Sequence, residues 1–485
     1  MALTVLAVLV LLALPAQAVP ALVDRDARSI AETARFSPGL NEGGAAHTLS
    51  PARLAASFAY TAFLPFVARN DGPKGPFAVQ LYGSIGASSG FTQAAVARTG
   101  WIRFQVRWSD IEPVNTIPAY YNWAALDESI QTATAAGINL ILTLESNPAW
   151  AAANVNGPVT HAADLSEFVG AIVARYPNVK YWEMYNEPDN IFSFGNDGAA
   201  YAAMLNSVYP VIKSANPSAQ LVMGGLAMDW CEEDNGPFNC GFLHQVLVHC
   251  VQPCFDVANF HYYPVHRANW EPYGRDIIGK ANYMRQRLAR YGYNRPVINT
   301  ETGWTYSGVW GNPALQARYV PKTFVRGIAA GLPIINWYAM IDADPSLPGL
   351  LGGSYPNYTL RPSYQAFQRL TTLLGAGQYV RALDAAETGS SYVEGYVFST
   401  PGPVGPKRID VVWYDCQGLI TTPPIMPQDC ATTAPYRVPA WRIGIWDHLG
   451  GPMVIRNDWD DGFIDGWVTL PGGVGTDPIY IDFNP

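Results

Sequence analysis

From Phe77 onward the chain alternates short apolar runs with longer stretches whose apolar residues recur at helical spacing. The runs at 77–83, 101–106, 138–144, 180–186, 220–225, 256–261, 296–301 and 334–340 predict strands, being short and bounded by turn formers. Between them, 123–136, 165–176, 201–215, 277–291 and 315–330 predict amphipathic helices. Asp164 stands before one of these and Asn312-Pro313 opens another, both ordinary helix-start chemistry. Eight strands alternating with helices predict an α/β fold, a (β/α)8 TIM barrel over 76–375. A doubly wound sheet alternates in the same way but usually carries a Gly-rich phosphate turn after its first strand. Gly83-Ser84-Ile85-Gly86 lacks that G-x-G-x-x-G spacing.

After a last helix-like stretch at 363–374 the period changes. Alternating segments at 392–399, 408–414, 442–446, 466–470 and 478–482 are separated by Pro401-Gly402-Pro403, Gly450-Gly451-Pro452 and similar turns. That pattern predicts a small all-β sandwich domain over 376–485. Residues 19–75 show weak periodicity and read as a linker or pre-barrel segment. The first 18 residues read as a signal peptide. Leu3 to Leu14 are mostly apolar, and Ala16-Gln17-Ala18 offers a small-x-small cleavage site, although no Lys or Arg precedes the run. The competing reading, a membrane anchor, requires a longer apolar stretch.

Composition narrows the partners. Thirty basic against 39 acidic residues leave a net charge of −9, which argues against nucleic acid and anionic membranes. Six cysteines suit an oxidising compartment and hence a secreted, extracellular protein. Cys231, Cys240, Cys250 and Cys254 cluster, with two bridges expected among them in unspecified order, and Cys416 is expected to pair with Cys430. These spacings lack C-x-x-C knuckles with His partners, so no metal is expected; nor is any cofactor. His244 and His249 stand five apart and miss the spacing of a helical metal pair. No G-x-S-x-G elbow occurs, so serine chemistry has no support.

In a barrel the chemistry sits at the carboxyl ends of the strands. The fourth strand runs out into Asn186-Glu187-Pro188 and the seventh into Thr300-Glu301-Thr302-Gly303, leaving a glutamate at each rim. Two such carboxyls sharing one mouth can divide labour, one holding a proton for a leaving oxygen and one attacking an anomeric carbon. Their mutual repulsion would help keep the acid protonated.

These phrases resemble the two catalytic signatures of glycoside hydrolase clan A, the retaining TIM-barrel glycosidases. The resemblance extends to Arg103 on strand two, His261-Tyr262-Tyr263 at strand six, Trp337 on strand eight, and the phrases Trp108-Ser109-Asp110-Ile111-Glu112-Pro113 and Asn147-Pro148-Ala149-Trp150. It covers roughly 77–485 and is most like family 39 or family 5-type enzymes. Many family 5 enzymes carry His at the end of strand three, where this chain reads Leu144-Glu145-Ser146-Asn147. The resemblance implies a secreted retaining hydrolase of a poly- or oligosaccharide, with Glu187 as acid/base and Glu301 as nucleophile. It further implies Asn186 on the sugar's 2-hydroxyl, Arg103 and Tyr263 holding Glu301 ionised, His261 on the same wall and Trp337 as floor.

Several of these residues have plainer alternatives. Arg103 could simply pair with Glu183 inside the barrel, and Trp337 could be core. Trp150, Trp304 and Tyr306 follow strand ends and suit either sugar stacking or rim packing. Glu145 and Asp342 are substrate contacts or spectators. For the whole chain, the rival readings are a non-catalytic carbohydrate-binding protein on a barrel scaffold and a transglycosylase.

Overall fold

The computed structural model describes residues 75–195, 197–251, 253–304, 312–344, 347–415 and 432–485. The signal peptide, nearly all of the 19–75 segment, Tyr306, Cys416 and Cys430 lie outside the described residues.

Eight parallel strands form one sheet: β1 (Phe77–Leu81), β2 (Trp101–Arg107), β3 (Asn139–Glu145), β4 (Tyr181–Met184), β5 (Gln220–Met223), β6 (Ala258–Tyr262), β7 (Val297–Thr302) and β8 (Ile335–Trp337). Each is followed by a helix: α1 (Phe91–Val96), α2 (Ala124–Ala135), α3 (Ala162–Arg175), α4 (Gly198–Ala215), α5 (Phe242–His249), α6 (Ile277–Arg290), α7 (Pro313–Ala329) and α8 (Pro362–Leu374). The sheet runs β5-β4-β3-β2-β1-β8-β7-β6, and bridges at Val222–Val257 and Leu226–Phe260 close it. The strand alternation seen in the sequence is the alternation between two cores. On β1, Phe77 packs outward on Phe324 of α7 and Phe367 of α8, while Gln80 points inward to Arg103. Ala78, Ile141, Val222, Val257, Ile298 and Ile334 form the inner plug at the barrel's closed end.

The following strands are antiparallel, beginning with a short pair of β9 (Leu351–Gly352) and β10 (Thr359–Leu360). A six-stranded sheet is ordered β11-β12-β13-β18-β15-β16, using β11 (Gln378–Ala382), β12 (Val393–Gly402), β13 (Gly405–Tyr414), β15 (Arg442–Asp447), β16 (Val454–Asn457) and β18 (Ile479–Asp482). A ribbon of β14 (Arg437–Pro439) and β17 (Trp467–Thr469) forms the second layer. The central strand β13 is apolar on both faces because both are covered. Ile409, Val411 and Trp413 join the core shared with the barrel, while Val412 and Tyr414 join Val438 and Val468 of the ribbon. The sheet therefore sits between barrel and ribbon.

Among the described residues two disulfides are present, Cys231–Cys240 and Cys250–Cys254, in the segments flanking α5. Among the described residues no helix is long and apolar enough to cross a membrane.

Candidate active site

The strands deliver their polar residues to one mouth. Past β4, Tyr185 (φ 61°) and Glu187 (φ 42°) take left-handed backbone conformations that side chains other than glycine rarely adopt. Such turns cost of order 1–3 kcal/mol each and persist only where surrounding contacts hold them. Here the Tyr185 hydroxyl donates to Asn147 Oδ1 at 2.7 Å, and the Asp189 carboxylate accepts from Met228 N at 2.9 Å. On β7 the pairing slips. Phe260 faces Asn299 while His261 faces Glu301, so Thr300 is the extra residue of a bulge. The bulge turns both Thr300 and Glu301 into the barrel.

Arg103, fully buried on β2, is the hub. Its five N–H groups reach Glu183 Oε2 (2.8 Å) and Oε1 (3.0 Å), Gln80 (3.2 Å), Glu301 Oε2 (3.4 Å) and Asn186 Oδ1 (2.7 Å). Pairing with Glu183 and contact with Glu301 therefore occur together. Glu183 also accepts from Thr143, Asn259 and Thr300. Burial pushes its carboxyl up, but Arg103 and these donors outweigh that and hold it below the usual range.

Glu187, His261 and Glu301 each bring an oxygen or nitrogen within 4.8 Å of the others. Such a trio has the donor set and spacing to hold a divalent cation, although all three already have protein partners. Glu301 Oε1 accepts from the Tyr263 hydroxyl at 2.7 Å, and Glu187 Oε1 lies 3.0 Å from His261 Nδ1. Burial, then the charge of Asp229, pushes Glu187 up to about 7. Burial also raises Glu301, while Arg103 and the Tyr263 hydroxyl pull it back. Burial lowers His261 to about 4, leaving a neutral ring at neutral pH. A Cβ on Gly225 would stand 2.1 Å from His261 Nε2, so glycine makes room for that ring.

The tautomer of His261 depends on where the single Thr300 hydroxyl hydrogen points, and its direction toward Glu183 sets the arrangement that follows. The Thr300 hydroxyl has one hydrogen, and its acceptor is the ionised Glu183 at 3.1 Å. Thr300 Oγ1 then accepts from Asn259 at 2.7 Å and from His261 Nε2–H at 3.2 Å. With Nε2 protonated on a neutral ring, Nδ1 is a bare acceptor. Its contact with Glu187 is a hydrogen bond only if Glu187 carries the proton.

Asn186, Arg103, His261, Tyr263, Glu187 and Glu301 are thus brought together, and two tryptophans are not. Trp337 is fully buried on the outer face of β8, its ring 6.4 Å from Tyr319 of α7, so it forms no sugar floor. Tyr338 follows it on the inward parity of Asn336, which donates inward to the Thr300 carbonyl. The Tyr338 ring meets Tyr82 edge-on at 5.8 Å, and Glu301 raises both phenols further after burial. Trp304 is 1% exposed and packs on Tyr319 at 4.9 Å, which removes it as a stacking surface. Trp150 is half-buried, edge-on to Trp108, and donates to the Glu112 carbonyl. Asp342 is clasped by Arg361. Glu145 ends β3, on the inward parity of Thr143. Two features had no sequence signal: the tyrosine pair, and the buried Lys280–Asp229 ion pair at 2.7 Å whose charges reach Glu187.

The cellulase family, glycosyl hydrolase family 5, matches residues 73–338. A family 39 glycoside hydrolase from the gut symbiont Bacteroides cellulosilyticus WH2 superposes with a TM-score of 0.63 at 18% identity, covering 85% of this chain and 81% of its own. A glucosidase from Croceicoccus marinus gives 0.58 at 14% identity, covering 84% and 95%. A monomeric beta-xylosidase from Caulobacter crescentus CB15 gives 0.57 at 14% identity, covering 84% and 96%. At such identities these likenesses speak for the fold. No curated protein sequence matches the chain.

Proposed function

The chain belongs to the cellulase family, glycosyl hydrolase family 5, and is a glycoside hydrolase; on that premise we propose that it cleaves O-glycosidic bonds with retention, using Glu187 as acid/base and Glu301 as nucleophile. The observation that carries this reading is the approach of one carboxyl oxygen of Glu187 to within 4.8 Å of one of Glu301. Double displacement works with carboxyls about 5–5.5 Å apart, whereas inversion needs roughly 6.5–9.5 Å to seat a water.

Glu187, with its carboxyl near 7, donates its proton to the glycosidic oxygen as the C–O bond breaks. Glu301 bonds to the anomeric carbon, forming a glycosyl ester, while Arg103 and Tyr263 direct its oxygens. Glu187, now a carboxylate, takes a proton from water. The water oxygen attacks the anomeric carbon on the vacated face, and the ester breaks to return the Glu301 carboxylate. Arg103 grips Asn186 Oδ1, which leaves the amide NH2 free to donate to the sugar's 2-hydroxyl. Tyr338 and Tyr82 take the place assigned to Trp337 as aromatic floor. The two disulfides support export through the N-terminal apolar segment.

The test is the stereochemistry of the first product, followed by NMR on an aryl glycoside that the enzyme accepts. Retention is expected, and an inverted first product would overturn the mechanism. Glu301→Gln should lower kcat by roughly 10⁴-fold or more. Near wild-type turnover would remove Glu301 from the nucleophile's role.

A further inference from the structure

The mouth contains one carboxyl that the mechanism above does not use. Glu145 is the last residue of β3 and shares the inward face with Thr143, whose hydroxyl donates to Glu183 at 2.8 Å. It pairs in register with Arg107 and stands within electrostatic range of Arg103 and Glu301. Only 9% of Glu145 is exposed, yet its carboxyl has no hydrogen-bond or ion-pair partner among the described residues. Its oxygens keep contact with solvent, so a ligand that displaces that solvent must supply donors in its place.

The surrounding chemistry restricts that ligand. All five Arg103 donors are already engaged, so the cation at the centre of the mouth has nothing left for Glu145 or for an incoming anion. Glu145, Glu183, Glu187 and Glu301 crowd the same mouth. Lys280, the other buried cation nearby, is bound to Asp229. Arg107, exposed at the end of β2 in register with Glu145, is a further cation whose charge reaches it, which sets four carboxyls against two arginines. A sugar entering here must therefore bring donors, and a carboxylate or sulfate on its ring would meet a field that is still predominantly of its own sign. A carboxylate's two oxygens match two adjacent hydroxyls on one sugar ring.

We propose that Glu145 determines glycone specificity, binding an uncharged sugar through a pair of adjacent hydroxyls, and that the site rejects uronic and sulfated glycones. This rests on the glycosidase reading of Glu187 and Glu301. Asn186 reads the 2-hydroxyl from the Arg103 side, and Glu145 reads hydroxyls further round the ring.

The experiment uses the full-length enzyme with aryl glycosides bearing neutral, uronic and 2-amino glycones, and with monodeoxy versions of the best neutral one. Wild type should favour a neutral glycone. Glu145→Ala should lower kcat/KM on it by roughly 10²-fold, the loss of a hydrogen bond to a charged acceptor. Glu145→Gln, which keeps an acceptor oxygen, should recover part of the loss. Removing the contacted hydroxyl should weaken wild type but leave Glu145→Ala unaffected. Binding of the same glycosides to Glu301→Gln, measured by calorimetry with and without Glu145→Ala, separates recognition from chemistry. The proposal is overturned if Glu145→Ala is as active as wild type, if the deoxy and Ala losses simply add, or if a uronic glycone is preferred. Failure of the underlying reading shows separately, as wild-type turnover in Glu301→Gln.

Discussion

Among the described residues, two buried clusters of arginine and carboxylate are built to opposite ends. One is the mouth around Arg103. The other joins the barrel to the β-sheet. There Arg326 of α7 holds Glu394 of β12 through two bonds (2.9 and 2.6 Å) and also reaches Asp276 and Asp415. Arg275 adds contacts to Glu394 (2.9 Å) and Asp415 (3.1 Å), while Tyr396 donates to Glu394 and Tyr319 to Asp276. Glu394 is saturated with donors. Burial acts to raise its carboxyl, yet Arg326 holds it far below the ordinary range. At the mouth, Glu187 has His261 alone and Glu145 has no partner among the described residues, and burial pushes both up to about 7. Saturation makes a joint. Deliberate shortage of donors makes a site that can hold a proton and accept a ligand.

The largest effect should come from breaking the joint. Arg326→Met leaves Glu394, Asp276 and Asp415 short of their main cation and should cost about 3–5 kcal/mol at pH 7 in denaturant unfolding. Glu394 is depressed in the folded state, so its stabilisation exists above the unfolded carboxylate range and fades as pH falls. The deficit of Arg326→Met should accordingly shrink below about pH 4. Activity per folded molecule should hold, and a matching fall in kcat would show that the two clusters are not independent. The mouth should answer with the opposite sign. Glu187 is raised from 4.5 to about 7, so the folded state binds the extra proton and wild type loses stability as pH climbs through that window. Glu187→Gln should be neutral below about pH 4.5 and more stable than wild type by on the order of 1–3 kcal/mol above pH 7, while nearly inactive. Equal stability at both ends would mean that the strand-four glutamate carries no burial penalty.

Much of this contrast was open to sequence reasoning, and what escaped it did so for physical reasons. The eight barrel strands are legible because each alternates between two cores, and Glu187 and Glu301 because strand ends face the mouth. Parity also holds the clue to one error. Ile334 and Asn336 point inward, so Tyr338 rather than Trp337 must follow them. Judging by residue type instead of period selected the wrong ring. Thr300 was missed because a bulge breaks the period, placing two neighbours on one face. The joint went unseen because Arg326 and Glu394 are 68 residues apart, and nothing local marks either as buried. Glu145 stood out only as a strand-end acid. Its lack of a partner is a property of everything around it.

The finest probe of the contrast is the tautomer of His261. At the joint, hydrogen bonds fix charges; at the mouth, the Glu183–Thr300–His261 chain should fix where one proton sits. With the Thr300 hydroxyl committed to Glu183, His261 carries its hydrogen on Nε2 and offers Glu187 a lone pair from Nδ1. That arrangement favours protonated Glu187, adding to its burial. Thr300→Val removes the acceptor for Nε2–H, so the hydrogen is better placed on Nδ1, where it donates to the Glu187 carboxylate and favours ionisation. The acid form of Glu187 is required for the first bond cleavage, and its loss sets the alkaline limb of kcat/KM. That limb should therefore move to lower pH by about one unit, with the rate at pH 5 little changed. Thr300 is fully buried and has no path to the substrate except through this chain. A merely structural hydroxyl would lower the profile evenly at every pH. A limb that stays in place while stability drops would assign Thr300 to Glu183's support, and the mouth would then differ from the joint only in its number of donors.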